Sequence, residues 1–182
     1  DFALKEVAGV QYLRGLADAH LTVAKVEVGM SGTLSSLAAS MTKLESEHGD
    51  GMQSADLAKE SGSKLASLSG GITGTAGSEA RAALRALTSR IGDKSNLILD
   101  PDLDSFYVMD LAVVKIPDVL DRVTDLALAS RAAYADRTLS AEEKLDLTVK
   151  MGGLQTVLDG LNGSVDSAYL GNTDGTVKAE LN

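Results

Sequence analysis

Cysteine and tryptophan are absent from the 182 residues, and proline and histidine occur only twice each. Without cysteine the chain has no disulfide frame, no thiolate nucleophile and no cysteine-held metal, and the absence fits reducing and oxidising compartments equally. Aromatic residues contribute only 3%, which leaves the chain without the aromatic and β-branched density of strand-built folds. Basic clusters are missing too: the net charge is −9, so the phosphate-neutralising surface that a nucleic-acid partner requires is not there. No apolar run is long enough to span a bilayer, and neither a signal peptide nor an initiating Met opens the chain. The sequence reads as an excised piece, with membrane anchors expected beyond both ends.

What is present is helical order. Phe106, Met109, Val113, Ile116, Leu120, Val123 and Ala127 are spaced alternately three and four apart, which predicts a heptad seam within a helix over 102–136. A second seam runs through Leu147, Met151, Leu154, Leu158, Leu161, Val165 and Ala168. It is opened by Ser140-Ala141-Glu142-Glu143, whose S-x-x-E spacing lets serine and glutamate satisfy each other's backbone donors. The short polar connection between these helices makes them antiparallel, and each buries only one stripe, so further helices must complete the core.

Those partners come from the first half. Val10, Leu13, Leu16, His20 and Val23 predict a helix over 2–28, and Leu34, Leu37, Met41 and Leu44 continue the spacing past Gly29-Met30-Ser31-Gly32. His48-Gly49-Asp50-Gly51 is the strongest turn signal. Leu57, Leu65 and Leu68 follow, then the glycine-rich Ser69–Gly77, then Ala80, Leu84, Leu87, Ile91 and Ile98. The predicted fold is all-α: an elongated antiparallel four-helix bundle with its first two helices interrupted, or six helices in two modules if both interruptions are breaks. One domain over 1–182 is expected, with both chain ends at the same end and the tail beyond Asn172 frayed. Negative charge is uneven, with 9 basic against 10 acidic residues over 1–91 and 8 against 16 over 92–182.

Several residues stand out as candidates for chemistry. Asp100, Asp102 and Asp104 alternate as in the opening of a calcium loop, but Ser105 and Leu111 occupy the places of the required glycine and glutamate, and no metal is assigned. Their simpler reading is a cap: Asp100 starts a helix with Pro101 at its first position, and Asp102 and Asp104 meet its positive end. Asp104, with Tyr107 and Asp110 about a turn on, is a candidate to line a ligand cavity, as is Asn96, which serves either the cap or a ligand. Tyr12 and Arg14 form the aromatic-cationic pair of the first helix, where Arg14 offers a hold for a carboxylate ligand or an ion pair to the acidic second half. His20 falls on the apolar face and reads as a hydrogen-bonded interior residue. Pro117 inside the seam predicts a kink, either a fixed bend or a hinge. With two distant histidines, no cysteine and no phosphate-gripping glycine loop, no catalytic constellation and no cofactor are expected.

The segment Ser95-Asn96-Leu97-Ile98-Leu99-Asp100-Pro101-Asp102-Leu103-Asp104-Ser105-Phe106-Tyr107-Val108-Met109-Asp110, followed by Ile116-Pro117, resembles a motif in the helical periplasmic regions of proteobacterial methyl-accepting chemotaxis receptors and sensor histidine kinases. Glu6 to Arg14 resembles the stretch after the first transmembrane helix of such receptors, and Thr138 to Leu147 their final hairpin. The resemblance implies an extracytoplasmic sensor domain of a bacterial inner-membrane protein. It would bind a small molecule between helices, dimerise with a second copy in the whole receptor, and meet the membrane only through flanking helices. Output would lie in cytoplasmic domains. The alternatives are an interaction domain for a periplasmic partner protein and a structural helical spacer.

Overall fold

The computed structural model describes residues 2–97, 103–135 and 137–181, and every regular element among them is helical. The order is α1 (Phe2–Glu27), α2 (Leu37–His48), α3 (Ala55–Ser67), α4 (Ala76–Lys94), α5 (Leu103–Asp110), a π-helical turn (Leu111–Lys115), α6 (Ile116–Ala133), α7 (Ala141–Gly171) and the short α8 (Thr176–Leu181). No helix among the described residues is long and apolar enough to cross a membrane.

Both glycine-rich interruptions are breaks at which the chain turns back. Gly29, at φ +82°, takes the left-handed conformation past α1 while the Met30 amide reaches the Lys25 carbonyl at 2.8 Å, the bond that closes a Schellman end. Four antiparallel helices result. Tyr12 of α1 meets Glu45 of α2, Glu45 meets Ser54 just ahead of α3, and Lys64 of α3 meets Glu79 of α4. Arg81 of α4 returns to Glu27 of α1 and closes the square. The main core lies inside it: Tyr12, Leu16, Val23, Leu65, Leu84, Leu87 and Ile91 are wholly buried. Among the described residues, only Met109 and Val113 join that core from the later helices. The core's centre of mass therefore falls in the half of the sequence with the weaker periodicity.

The rod α5–α6 lies along α1 and α4, with α7 antiparallel on its outer side. Asp104 meets Asn172, Asp110 meets Ser164, and Ala133 shares a cleft with Glu142 and Leu147. His20 pairs with Asp121, and Gly29 lies beside Arg131, so α1 and α6 run parallel. In consequence α1 begins and α7 ends at the same end of the molecule. The capping box that opens α7 is formed as predicted: Ser140 Oγ accepts from the Glu143 amide at 3.2 Å, and the Glu143 carboxylate accepts from the Ser140 amide at 2.8 Å. The tail does not fray over its whole length. The Asp174 carboxylate accepts from the Thr176 amide and hydroxyl, and the Asn172 side-chain oxygen from the Val177 amide, which start α8.

The first seam does not hold along its length. Met109 and Val113 point into the core as predicted, but Ile116 is 51% and Val123 45% exposed, while Pro117 and Thr124 are buried. The π turn accounts for this. Proline has no amide to donate to Val113 and its ring crowds that carbonyl, and the chain widens immediately ahead of it, with the Ile116 amide bonding to the Leu111 carbonyl five residues back. One extra residue rotates the following helix by about 100°. Beyond Val113 the inward positions become Pro117, Asp121 and Thr124, each one later than the seam.

Candidate functional site

That rotation brings a row of carboxylates against the four-helix square. Asp118, Asp121 and Asp125 are spaced to share one face of α6, and Arg81 and Arg85 stand one turn apart on α4. Arg81 is 3% exposed, and its guanidinium is fully engaged: Nε donates to Glu27 Oε2 at 2.9 Å, Nη1 to Asp121 Oδ1 at 2.6 Å and Nη2 to Asp125 Oδ1 at 2.8 Å. Arg85 Nη1 donates to Asp118 Oδ1 at 3.1 Å and Asp121 Oδ2 at 3.0 Å. From α1, His20 Nε2 lies 2.8 Å from Asp121 Oδ1; an ionised carboxylate only accepts, so that nitrogen carries the proton.

Electrostatics follow from this geometry. Burial alone would raise the Asp121 carboxyl, but hydrogen bonds from His20 and Arg81 outweigh it and hold the group well below the usual carboxylate range. Burial alone would lower Arg81, yet bonds to Asp121, Asp125 and Glu27 keep it charged beyond its ordinary range. Three helices, α1, α4 and α6, meet in one ionic junction, bordered by a groove of about 450 Å³ between α4 and α6. Arg122 of α6 also lines this groove, its Nε 3.6 Å from Asp118 Oδ1, so three guanidinium groups and four carboxylates meet there.

The residues singled out in the sequence are not gathered into one site. Tyr12 is wholly buried in the square: its hydroxyl donates to Glu45 Oε2 at 2.7 Å, and burial first, then Glu45, raise the phenol above its ordinary range. Arg14, two residues on and therefore on the opposite face, is exposed and makes no ion pair among the described residues. The ion pairs to the acidic second half are made by Arg81 and Arg85 instead. Asn96 sits in the left-handed region at φ +66° just past α4, which makes it the residue that ends that helix. Asp104 and Asp110 tie α5 to α7: Asp104 Oδ2 accepts from Asn172 Nδ2 at 2.8 Å and Asp110 Oδ2 from Ser164 Oγ at 2.7 Å. The Asn172 bond, with the Ser105 amide, lowers the Asp104 carboxyl. Tyr107 is half-buried and packs edge-on against Phe106, with centroids 5.3 Å apart. The cap assigned to Asp100, Pro101 and Asp102 lies outside the described residues. His20 is interior and hydrogen-bonded, as its place on the apolar face predicts.

Arg81, Arg85, Glu27 and the three α6 aspartates were not among the candidates. Their signal was the complementary spacing of Arg81-x3-Arg85 and Asp118-x2-Asp121-x3-Asp125, each a charged stripe on one helix face. Comparison with known proteins finds no family model, no curated relative and no solved structure that matches this chain.

Proposed function

We propose that this chain is the extracytoplasmic sensing portion of a bacterial transmembrane receptor, in which a small molecule bound among the helices of the square shifts the α5–α7 hairpin across the ionic junction. The observation that carries the reading is the junction itself. The elements that would join flanking membrane helices, α1 and α7, begin and end at one end of the molecule, and α6, on which α7 packs, is tied to α1 and α4 by charged contacts. Binding energy spent on one pairing over another would appear as displacement of α7 relative to α1. The sequence resemblance to chemotaxis receptors and sensor kinases points the same way.

Two measurements test this. A thermal-shift panel of organic acids, amino acids, nitrogen oxyanions and amines should contain a stabilising ligand, since binding only the folded state raises apparent stability. Spin labels at Ala17→Cys on α1 and Thr156→Cys on α7, introduced without interference because the chain has no native cysteine, should then report a changed distance when that ligand is added. An unchanged distance with ligand bound would sink the proposal.

A second reading, a docking face for a partner protein, draws on one observation. Leu145, Val149, Met151 and Leu170 of α7 are each at least 60% exposed. Copurification of a periplasmic protein, lost on Val149→Asp, would support it.

A further inference from the structure

Between α2 and α3 the square carries a groove of about 450 Å³, floored by Ala38, Met41, Ala55, Ala58 and Gly62, with Glu45 at one end. Its size falls within the range of small-molecule sites, and its wall joins an apolar floor to a few polar groups, Thr42, Glu45, Ser46 and Lys59, the usual composition of such sites. Glu45 is unusual for a half-buried carboxylate. Both of its partners are hydroxyls: Tyr12 Oη donates to Oε2 at 2.7 Å and Ser54 Oγ donates to the same oxygen at 2.8 Å. Tyr12 and Ser54 are 0% and 1% exposed, so the carboxylate is held by two immobile donors. No cation lies within ion-pair reach of it among the described residues, whereas Glu27, the comparable buried acid of α1, takes Arg81. The contrast leaves Glu45 oriented and without a counter-ion among the described residues.

The glycine opposite adds an independent observation. Gly62 sits in the interior of α3, where glycine costs a helix about 1 kcal/mol relative to alanine, and a Cβ built there meets nothing within 4 Å. Close packing against a neighbouring helix does not explain it. Its effect is to open the floor of the groove.

We infer that this groove is a binding site for a small organic ammonium ion, its charge received by Glu45 and its apolar body lying over Ala58 and Gly62. The inference rests on the sensor reading only in supplying that sensor's ligand class. Two charged side chains line the groove, and of these Glu45 is the one held in place by buried donors, so charge complementarity selects a cation. Lys59, on the rim, is exposed and makes no ion pair among the described residues.

Amide spectra of the chain titrated with n-butylamine and phenethylamine, against butyrate and phenylacetate as anionic counterparts of like shape, test it. The amines are expected to move resonances around Met41, Glu45 and Ala58, and the acids are not. Glu45→Gln keeps an acceptor for Tyr12 and Ser54 but removes the charge, and should weaken amine binding about tenfold or more. Gly62→Leu, which fills open space and favours the helix, should abolish it, while Lys59→Ala should leave it intact. Absence of amine-specific shifts in α2 and α3, undiminished binding by Glu45→Gln, or loss of binding in Lys59→Ala would overturn the assignment. Amine binding without a change in the α1–α7 label distance would uphold this site and defeat the sensor reading, so the two fail separately.

Discussion

Replacing Arg81 by methionine, which keeps an unbranched apolar stem and removes the guanidinium and its charge, tests the energetics of the ionic junction. The wild-type guanidinium serves three carboxylates of different exposure, Glu27 at 7%, Asp121 at 13% and Asp125 at 51%. Asp125 regains water at little cost. Asp121 keeps Arg85 and His20. Glu27 is left buried with no cation among the described residues, and leaving one member of a buried pair uncompensated costs about 3–5 kcal/mol. Against a total stability of roughly 5–15 kcal/mol, Arg81→Met should lose a large fraction, and Asp125→Asn at most about 1 kcal/mol. Urea unfolding followed by far-UV circular dichroism at neutral pH measures both, tryptophan being absent. The double variant Arg81→Met/Glu27→Gln should recover at least about 1.5 kcal/mol of the single loss, because the stranded charge is gone. Equal costs for Arg81→Met and Asp125→Asn, or strict additivity of the Arg81 and Glu27 changes, would refute the claim that this junction is a buried, coupled network.

Four further outcomes follow from the same geometry. The Asp121 carboxyl is held below its unfolded value of about 3.9, so the stability from its ion pairs is complete above that pH and should be lost as pH falls below about 4, with Asp121→Asn flattening this limb of the stability profile. The Tyr12 phenol is raised, so its unfolded form ionises first, and stability should decline as pH passes about 10; in an absorbance titration one of the four tyrosines should stay protonated until unfolding. Tyr12→Phe should cost about 1 kcal/mol and remove that feature. Ser140→Ala removes the capping box of α7 and should cost about 1 kcal/mol, with hydrogen exchange accelerated only in the first turn of that helix.

How much of this was legible in the sequence depends on which interaction did the positioning. Helix identity, the turn at Gly49–Gly51 and the cap at Ser140 are local, set by residues within one turn of each other, and each reads directly from spacing. His20 was placed correctly inside because its neighbours at helical intervals are apolar. Arg14 and Tyr12 were paired by proximity in sequence, yet a separation of two along a helix puts side chains on opposite faces. Asn96 read as a polar group in need of a partner, when its role is conformational: it is one of the non-glycine residues at positive φ. The junction was illegible for another reason. Its arginines and aspartates come from helices some forty residues apart, and each stripe alone resembles an ordinary solvated face.

The deeper obstacle was the assumption of one unbroken period. Seven apolar residues from Phe106 to Ala127 make a persuasive seam, and a straight helix would bury Ile116, Leu120 and Val123 against α1 and α4. Such a face would be apolar, and Asp121 would then turn away from Arg81 and His20. Pro117 removes the donor that would keep the helix regular, and the π turn ahead of it advances every later residue by one place. One residue of advance exchanges an apolar seam for a charged one, so the ionic junction and the proline are parts of a single device. The exposed Ile116 and Val123 are its by-product. It follows that Pro117→Ala, by restoring the amide, offers α6 the alternative register, with the apolar seam inward and the junction broken. If the hairpin has two settings, these are the two that the sequence has already written, and loss of the Arg81–Asp121 contact in Pro117→Ala, read from the side-chain guanidinium resonances, decides whether the second one is accessible.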